Sequence, residues 1–425
     1  MPPTKSPAAP RSSSAALPAH GRAHNLSLVL RTLHSQGPLS RAELSRRLGL
    51  TRVTVSDLVA ELLGRNHVVE LGPDGTGRPG KPAILVDVNR HGLQIIGLDL
   101  AEASSLNAAV MDLDGRILTR LSTELSSVTG QAVIDLVLDL ADRAVAAATA
   151  PLLGIGVGTP GLVDADGTVL TAPNLDWSDV PLGALLQERT GLPTLVANDA
   201  DAAVMGEFTF GGGGDDLLLV KVGRGVGAGV IVGGRRVNGH HFAAGEIGHV
   251  TVGTDGGELC SCGKYGCLET WLAVPRLEAA LAATPDAAAS ATAGADTSAG
   301  PRVGQRPDAA ARRDPDGAPA TDAVGHSDTE RRDTGHRAAV LRTAGERLGI
   351  TLAPVVALLD LAEVVLTGPP ELLDDTLLGA VEHTIASRLL RQSGARVHFR
   401  RSEDPRDITL RGTAVLVLSH QLGVA

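Results

Sequence analysis

His249 is followed, after ten residues, by Cys260-Ser-Cys262-Gly-Lys-Tyr-Gly-Cys267, and two positions later by Glu269. One imidazole and three thiols supply the donor set of a closed tetrahedral Zn²⁺ shell, the arrangement of a structural site rather than one with an open position. These are the chain's three cysteines, and they lie within eight residues. Such clustering points to a metal rather than a disulfide framework. His249, Cys260, Cys262 and Cys267 are therefore the expected ligands of a zinc that folds this loop. The plainer alternative, three free thiols in a loop, leaves reactive groups crowded together without a ligand.

A second set of residues suits a different chemistry. Asn198-Asp199-Ala-Asp201, Gly245-Glu246-Ile-Gly-His249, Gly156-Val-Gly-Thr-Pro-Gly161 and Pro173-Asn174-Leu175 offer carboxylates and amides on glycine-rich turns. Such groups can accept or donate in pairs to a ring of hydroxyls. Together with the Cys-x-Cys-Gly-x-x-Gly-Cys-x-Glu loop, these segments resemble the ROK family, which comprises repressors, open reading frames and sugar kinases. The resemblance runs from about Asn25 to Ala425, apart from an insertion. It implies that Asn198, Asp199, Glu246, His249 and Glu269 contact a sugar, with Gly161 and Asn174 close by. It also implies that His249 holds the metal through one ring nitrogen and meets the sugar through the other. In a kinase of this family Asp199 would be the base that takes the proton of the attacking hydroxyl. The blander role for Asn198 and Asp199 is to cap the helix that runs to Phe208.

The phosphate side of the resemblance is broken. Kinases of the family carry an Asp-x-Gly-Gly-Thr turn whose glycines let backbone amides approach phosphate. The corresponding segment here is Asp99-Leu-Ala-Glu-Ala-Ser-Ser105, without glycine and with Glu102 adding negative charge. Gly223-Arg-Gly-Val-Gly-Ala-Gly229 puts Arg224 where the kinases favour Gly-Thr-Gly, and Thr367-Gly-Pro-Pro370 lacks paired glycines. An arginine can still meet an anion, so a phosphorylated ligand stays open. The expected effector domain is thus a sugar sensor without kinase activity; the alternative is an active ATP-dependent sugar kinase with an attached DNA-binding domain.

The elements that position these residues follow from periodicity. Residues 1–21, rich in Pro, Ser and Ala, read as a disordered leader. Leu26, Val29, Leu30 and Leu33 recur at helical spacing up to Gly37-Pro38. Ser40-Arg-Ala-Glu43 reads as a capping box opening a short second helix, and Thr51 can cap a third over Arg52 to about Leu63. Two strands, His67–Glu70 and Ala83–Asp87, flank a Gly/Pro-rich loop with Gly77-Arg78-Pro79-Gly80-Lys81. Three helices and a hairpin make a winged helix-turn-helix over residues 22–90. Such a fold lays its third helix in the major groove of double-stranded operator DNA, making Arg52, Thr54 and Ser56 the expected base readers and Arg46 and Arg47 phosphate contacts. Arg78, with Lys81 beside it on the wing, is suited to a narrow minor groove.

From residue 91 to 425 the strand, strand, strand, helix, strand order opens an α/β actin-like (ribonuclease H-like) two-lobe domain, whose second half begins near Leu217. Residues 284–335 contain no Leu, Ile, Phe, Trp or Tyr and read as a disordered insertion. Hydrophobic residues make up 43% of the chain and aromatic ones 2%, so the core must be aliphatic. The net charge of −10 hides an asymmetry: residues 1–90 hold 12 Lys+Arg against 6 Asp+Glu, leaving −16 for the remainder. Only the N-terminal part is suited to phosphates. No apolar run reaches membrane-spanning length and no secretory h-region is present, so a cytoplasmic protein is expected. The whole reads as a sugar- or sugar-phosphate-responsive regulator, a homodimer or homotetramer, most simply a repressor of carbohydrate genes.

Overall fold

Helix α1 (Pro18–Gln36) opens the computed structural model, which describes residues 18–73, 83–102, 104–126, 128–252, 257–283, 325–390 and 397–423. Its first residue is a proline, which is at home in a first helical turn because its missing amide would have no partner there. That start corrects the expected leader: residues 18–21 are helical, and residues 1–17 lie outside the described ones. Two residues of strand β1 (Leu39–Ser40) lead into α2 (Arg41–Leu48), and α3 (Arg52–Gly64) follows. Ser40 caps α2 by accepting from the Glu43 amide at 3.2 Å. The Glu43 carboxylate does not return to complete the capping box; it pairs with Arg46 and Arg47. Strands β2 (Val68–Pro73) and β3 (Ile84–Val88) form the hairpin, with β1 on the other side of β3. Residues 74–82, including Arg78 and Lys81, lie outside the described residues.

A five-stranded sheet follows, from β4 (Gln94–Asp99), β5 (Ser105–Met111), β6 (Ile117–Glu124), β7 (Leu152–Thr159) and later β11 (Thr194–Asn198). Helix α4 (Gln131–Ala147) separates β6 from β7, and a small sheet of β8 (Leu162–Val163), β9 (Val169–Ala172) and β10 (Trp177–Val180) precedes α5 (Leu182–Thr190). The order β11-β7-β4-β5-β6 has β4, β5 and β6 antiparallel and β7 and β11 parallel to β4. Alternation along β4 divides its side chains. Ile96 and Leu98 pack with α4 and α5, whereas Ile95 packs with Met111, with the last helix, α11 below, and with α1 to α3.

Strands β12 (Leu217–Val222), β13 (Val226–Val232), β14 (Arg235–Arg236), β15 (Glu363–Thr367) and β16 (His398–Arg401) repeat the pattern in the order β14-β13-β12-β15-β16. Again three antiparallel strands are joined by two parallel ones. In chain order α6 (Asp199–Phe210) follows β11 and precedes β12. Helices α7 (Glu269–Leu272), α8 (Val274–Ala282), α9 (Gly325–Leu359) and α10 (Asp375–Arg388) belong to the second half, and α11 (Ile408–Gln421) closes the chain. Helix α9 begins inside the stretch expected to be a disordered insertion. Its packed half, with Leu341, Leu348, Leu352 and Val356 buried, propagates a helix back into polar sequence, where each further residue costs little once a helix is nucleated. Residues 284–324 lie outside the described residues.

The chain divides into two units: one runs to Gly212 and takes back Asp407 onward, the other spans Gly213–Arg406. In the first, the winged helix and the sheet share one core. Val29, Leu30 and Leu33 of α1 are buried in the same cluster as Leu410, Ala414, Val417 and Leu418 of α11, each of the valines and leucines contributing about 1.5–3 kcal/mol. Polar clamps reinforce the joint. Arg31 donates to the Gly423 carbonyl at 2.9 and 3.0 Å, and Arg90 donates to His34 O at 2.8 Å while its other guanidinium nitrogen meets Asp114 at 2.5 Å.

Candidate functional sites

The loop after β14 folds back to place a histidine beside three thiols. The candidate ligand atoms of His249, Cys260, Cys262 and Cys267 lie within 4.8 Å of one another. Cys260 Sγ is 3.5 Å from His249 Nδ1, and Cys262 Sγ is 3.6 Å from Cys267 Sγ. The second separation is far too long for a disulfide, about 2.05 Å. It is close to the sulfur–sulfur edge of about 3.8 Å that a zinc tetrahedron with 2.3 Å bonds requires. The donor set therefore fits a metal ion. In the protein alone, a Lys264 backbone hydrogen bond lowers the Cys262 thiol to about 7, while burial pushes Cys267 up to about 12. Backbone bridges Thr251–Cys267 and Leu259–Tyr265 fasten the loop.

The opposite nitrogen of the histidine faces a carboxylate. His249 Nε2 lies 3.9 Å from Glu246 Oε2, both half-buried. Glu269, at the start of α7, accepts from Val226 N at 3.3 Å through one oxygen; the other is 3.3 Å from Ser261 Oγ and 3.6 Å from Cys260 Sγ. Glu246, His249 and Glu269 thus surround the cysteine loop within the second unit. The Val226 amide and the Ser261 hydroxyl, both missed by the sequence motifs, hold Glu269 in place.

In the first unit the structure brings three of the four expected residues together. Asn198 accepts from the amides of Ala200 and Asp201 and donates through Nδ2 to Gly161 O at 2.9 Å. Its amide is thus both the cap of α6 and the tie to the Gly161 turn, and Asp199 is the first residue of α6. Gly161 has φ +88°, and a Cβ there would stand 1.9 Å from Thr171 O. Only glycine permits that approach. Thr171 and Ala172 lead directly into the turn that bears Asn174, which is exposed.

On α3 the apolar residues Val55, Leu58, Val59 and Leu62 are buried, and Arg52, Val53, Ser56, Asp57 and Ala60 are exposed. Thr54 is half-buried, with its hydroxyl 2.8 Å from that of Thr51, the α3 cap. The Arg46 and Arg47 side chains are 70% and 42% exposed beside Glu43. Arg46 and Arg47, paired with Glu43, thus give α2, which packs on α3, a charged rim, and the exposed residues of α3 include one cation, Arg52, and one carboxylate, Asp57.

A family model described as ROK matches residues 95–420. The chain belongs to the ROK family. The xylose repressor of Caldicellulosiruptor bescii is 35% identical over 254 residues, covering 58% of this chain and 63% of that protein. The match thus spans less than two thirds of that relative's length. The crystal structure of a ROK family transcriptional regulator, a homologue of the E. coli Mlc protein, superposes with a TM-score of 0.75 at 24% identity over 95% of this chain and 98% of that one. A ROK family glucokinase from Streptomyces griseus, solved with glucose and AMPPNP, gives a TM-score of 0.58 at 28% identity over 76% of this chain and 98% of its own. The fold is the ROK actin-like domain, preceded by three helices and a β-hairpin.

Within this ROK fold the phosphate-side turns have their own bonding. Asp99 is 4% exposed and accepts from Ala101 N at 3.0 Å, closing a side-chain turn after β4, with Glu102 exposed beyond it. The Gly223 amide donates to Gly225 O at 2.9 Å, which leaves Arg224 exposed at the tip. Gly368 has φ +151°, and a Cβ there would lie 2.4 Å from Val222 O. Of the three turns, the one at Gly368 needs its glycine, the one at Gly223–Gly225 has room for side chains or meets only the flexible end of Glu269, and the Asp99 turn has no glycine.

Proposed function

We propose that this chain is a sugar-responsive, DNA-binding transcriptional repressor of carbohydrate genes whose kinase-like domain senses a sugar without phosphorylating it. The observation that carries the reading is the shared core of the first unit. Helix α11 packs on α6, which begins at Asp199, and the same helix is buried against α1 of the winged helix. A ligand that favours one arrangement of α6 therefore has a packed route to the DNA reader, and coupling needs only that it bind that arrangement better.

In this reading the ligand is a monosaccharide or sugar phosphate, and the family resemblance assigns it Asn198 and Asp199 with Gly161 and Asn174 in the first unit and Glu246, His249 and Glu269 in the second. His249 Nδ1 and the three cysteines would hold a structural Zn²⁺, whose binding would steady the imidazole with Nε2 left toward Glu246. Arg52, Thr54 and Ser56 read operator bases and Arg46 and Arg47 hold phosphates, with Arg78 and Lys81 on the wing. A homodimer or homotetramer on a pseudo-palindromic operator, working in the cytoplasm, completes it; among the described residues no helix is long and apolar enough to cross a membrane.

The test is operator binding by fluorescence anisotropy on zinc-loaded protein, titrated with xylose, glucose, N-acetylglucosamine and their phosphates. One sugar should lower operator affinity, and Glu246→Ala should abolish the response while leaving sugar-free DNA binding intact. Asp199 at the start of α6 keeps the kinase alternative specific enough to test: release of ADP with any of these sugars would establish it, and none is expected.

A further inference from the structure

The exposed face of α3 holds a residue that neither the core nor the charged rim uses. Val53 is 72% exposed, although Val55, Leu58, Val59 and Leu62 on the same helix are at most 1% exposed. Val53, Ser56, Asp57 and Ala60 fall at i, i+3, i+4 and i+7, all exposed, so they form one stripe. A lone exposed valine is ordinary on a protein surface. Its company here is not. The stripe occupies the N-terminal turns of the helix that enters the groove in the DNA-binding reading, next to exposed Arg52, and α2, which carries exposed Arg46 and Arg47 beside Glu43, packs on this helix.

The stripe carries no cation and has one carboxylate, Asp57, so it is unsuited to lying on phosphates, which the arginines can take. Base edges are the surface that matches it. In the major groove the one apolar feature of a base pair is the 5-methyl group of thymine, which distinguishes T·A from the other pairs by contact rather than by hydrogen bond. We infer that Val53 reads a thymine methyl at one fixed position of each operator half-site, a specificity determinant beside Arg52 and Ser56. This assignment rests on the DNA-binding reading above.

The experiment begins with selection from a random duplex library by the full-length, zinc-loaded chain. Each thymine of the selected operator is then replaced singly by deoxyuridine, which removes only the methyl group, and affinities are measured for the parent and for Val53→Ala. For the parent, one position per half-site should lose about fourfold, the effect of one buried methyl. Val53→Ala, which removes the contact at both half-sites, should lose about sixteenfold on the unmodified operator, become indifferent to uracil at that position, and keep the parent's salt dependence and melting temperature. Val53→Ala binding as tightly as the parent, or retaining the parent's loss at every uracil, would overturn the assignment. A library that yields no enriched duplex overturns the DNA-reading proposal itself, whereas an enriched duplex indifferent to Val53 overturns only this one.

Discussion

Sheet β6-β5-β4-β7-β11 and sheet β14-β13-β12-β15-β16 are built alike, and each is backed by a helix pair that meets on glycine. In the first unit a Cβ on Gly412 of α11 would stand 1.7 Å from Ala202 O of α6, and one on Gly206 would stand 2.5 Å from Ile408 O. In the second, Gly345 and Gly349 of α9 approach Leu377 O and Thr384 Cβ of α10 to 2.4 and 2.6 Å by the same measure. The frames match, but their attachments do not. The first pair extends its core into the N-terminal segment of α1 to α3 proposed to read DNA; the second unit carries the cysteine loop. Two scaffolds alike in sheet order and helix packing thus differ in what each carries.

The largest difference should appear when the metal is removed. Cys267→Ala, or chelation of the parent, is expected to drop zinc content from one per chain to none and to cut amide-exchange protection over residues 257–272 by about 10³-fold or more, because the metal's binding energy is folding energy for that loop. Protection in α1 to α3 should be unchanged. Equal loss in both regions would break the comparison, since the loop would then support the DNA reader too.

Next in size are the glycine crossings. Gly412→Ala drives a methyl group into backbone that cannot move aside, at a cost of about 3 kcal/mol or more. It should weaken exchange protection in the first unit and operator binding together. Gly345→Ala should be comparably destabilising but confined to the second unit, with operator affinity in the absence of sugar retained. If both substitutions weakened DNA binding equally, the two helix pairs would not be separable in function.

Much of this was legible in the chain itself, and the exceptions share a cause. The strands Leu217–Val222 and Val226–Val232 coincide with their aliphatic runs, and the His-Cys cluster assembles as its spacing implies. The caps at Ser40 and Thr51 also form. What periodicity misses depends on tertiary partners. Strand β1 is two residues long and exists because Leu39 and Ser40 pair with Val86 and Leu85. Glu43 abandons the capping box because two arginines lie one turn away. Val53 shows no signal until the core residues around it are known to be filled. The boundary near residue 90 looked like a domain junction, but helix α11, more than 300 residues downstream, supplies the missing half of the core.

That junction has a polar clamp whose removal should have a smaller effect. Arg90 donates to His34 O, approaches Leu33 O at 3.3 Å and meets Asp114, while remaining 21% exposed. Arg90→Met keeps the stem and deletes these bonds, at about 2 kcal/mol. If the clamp transmits the sugar signal, the ratio of operator affinities with and without sugar should shrink more than sugar-free affinity does. A uniform loss would reduce it to ordinary structural support.

The smallest expected effect is a pH dependence confined to the first unit. Burial, aided by the Arg90 charge, lowers His34 below its ordinary 6.5, and burial with Arg65 lowers His67 likewise. The folded state therefore prefers both rings neutral, and the unfolded chain takes up protons first. Stability contributed in this way is whole above pH 6.5 and declines as pH falls below it, levelling off once the folded rings protonate too. Both rings remain partly in water, so solvent screens the effect and it is the smallest of those expected. Denaturant midpoints at pH 7.5 and 5.5 would reveal it as a difference that His34→Gln diminishes. Because Arg90 contributes to the His34 shift through its charge, Arg90→Met should flatten the same profile. A pH slope unchanged in both variants would place its origin outside the joint between the DNA reader and the first sheet.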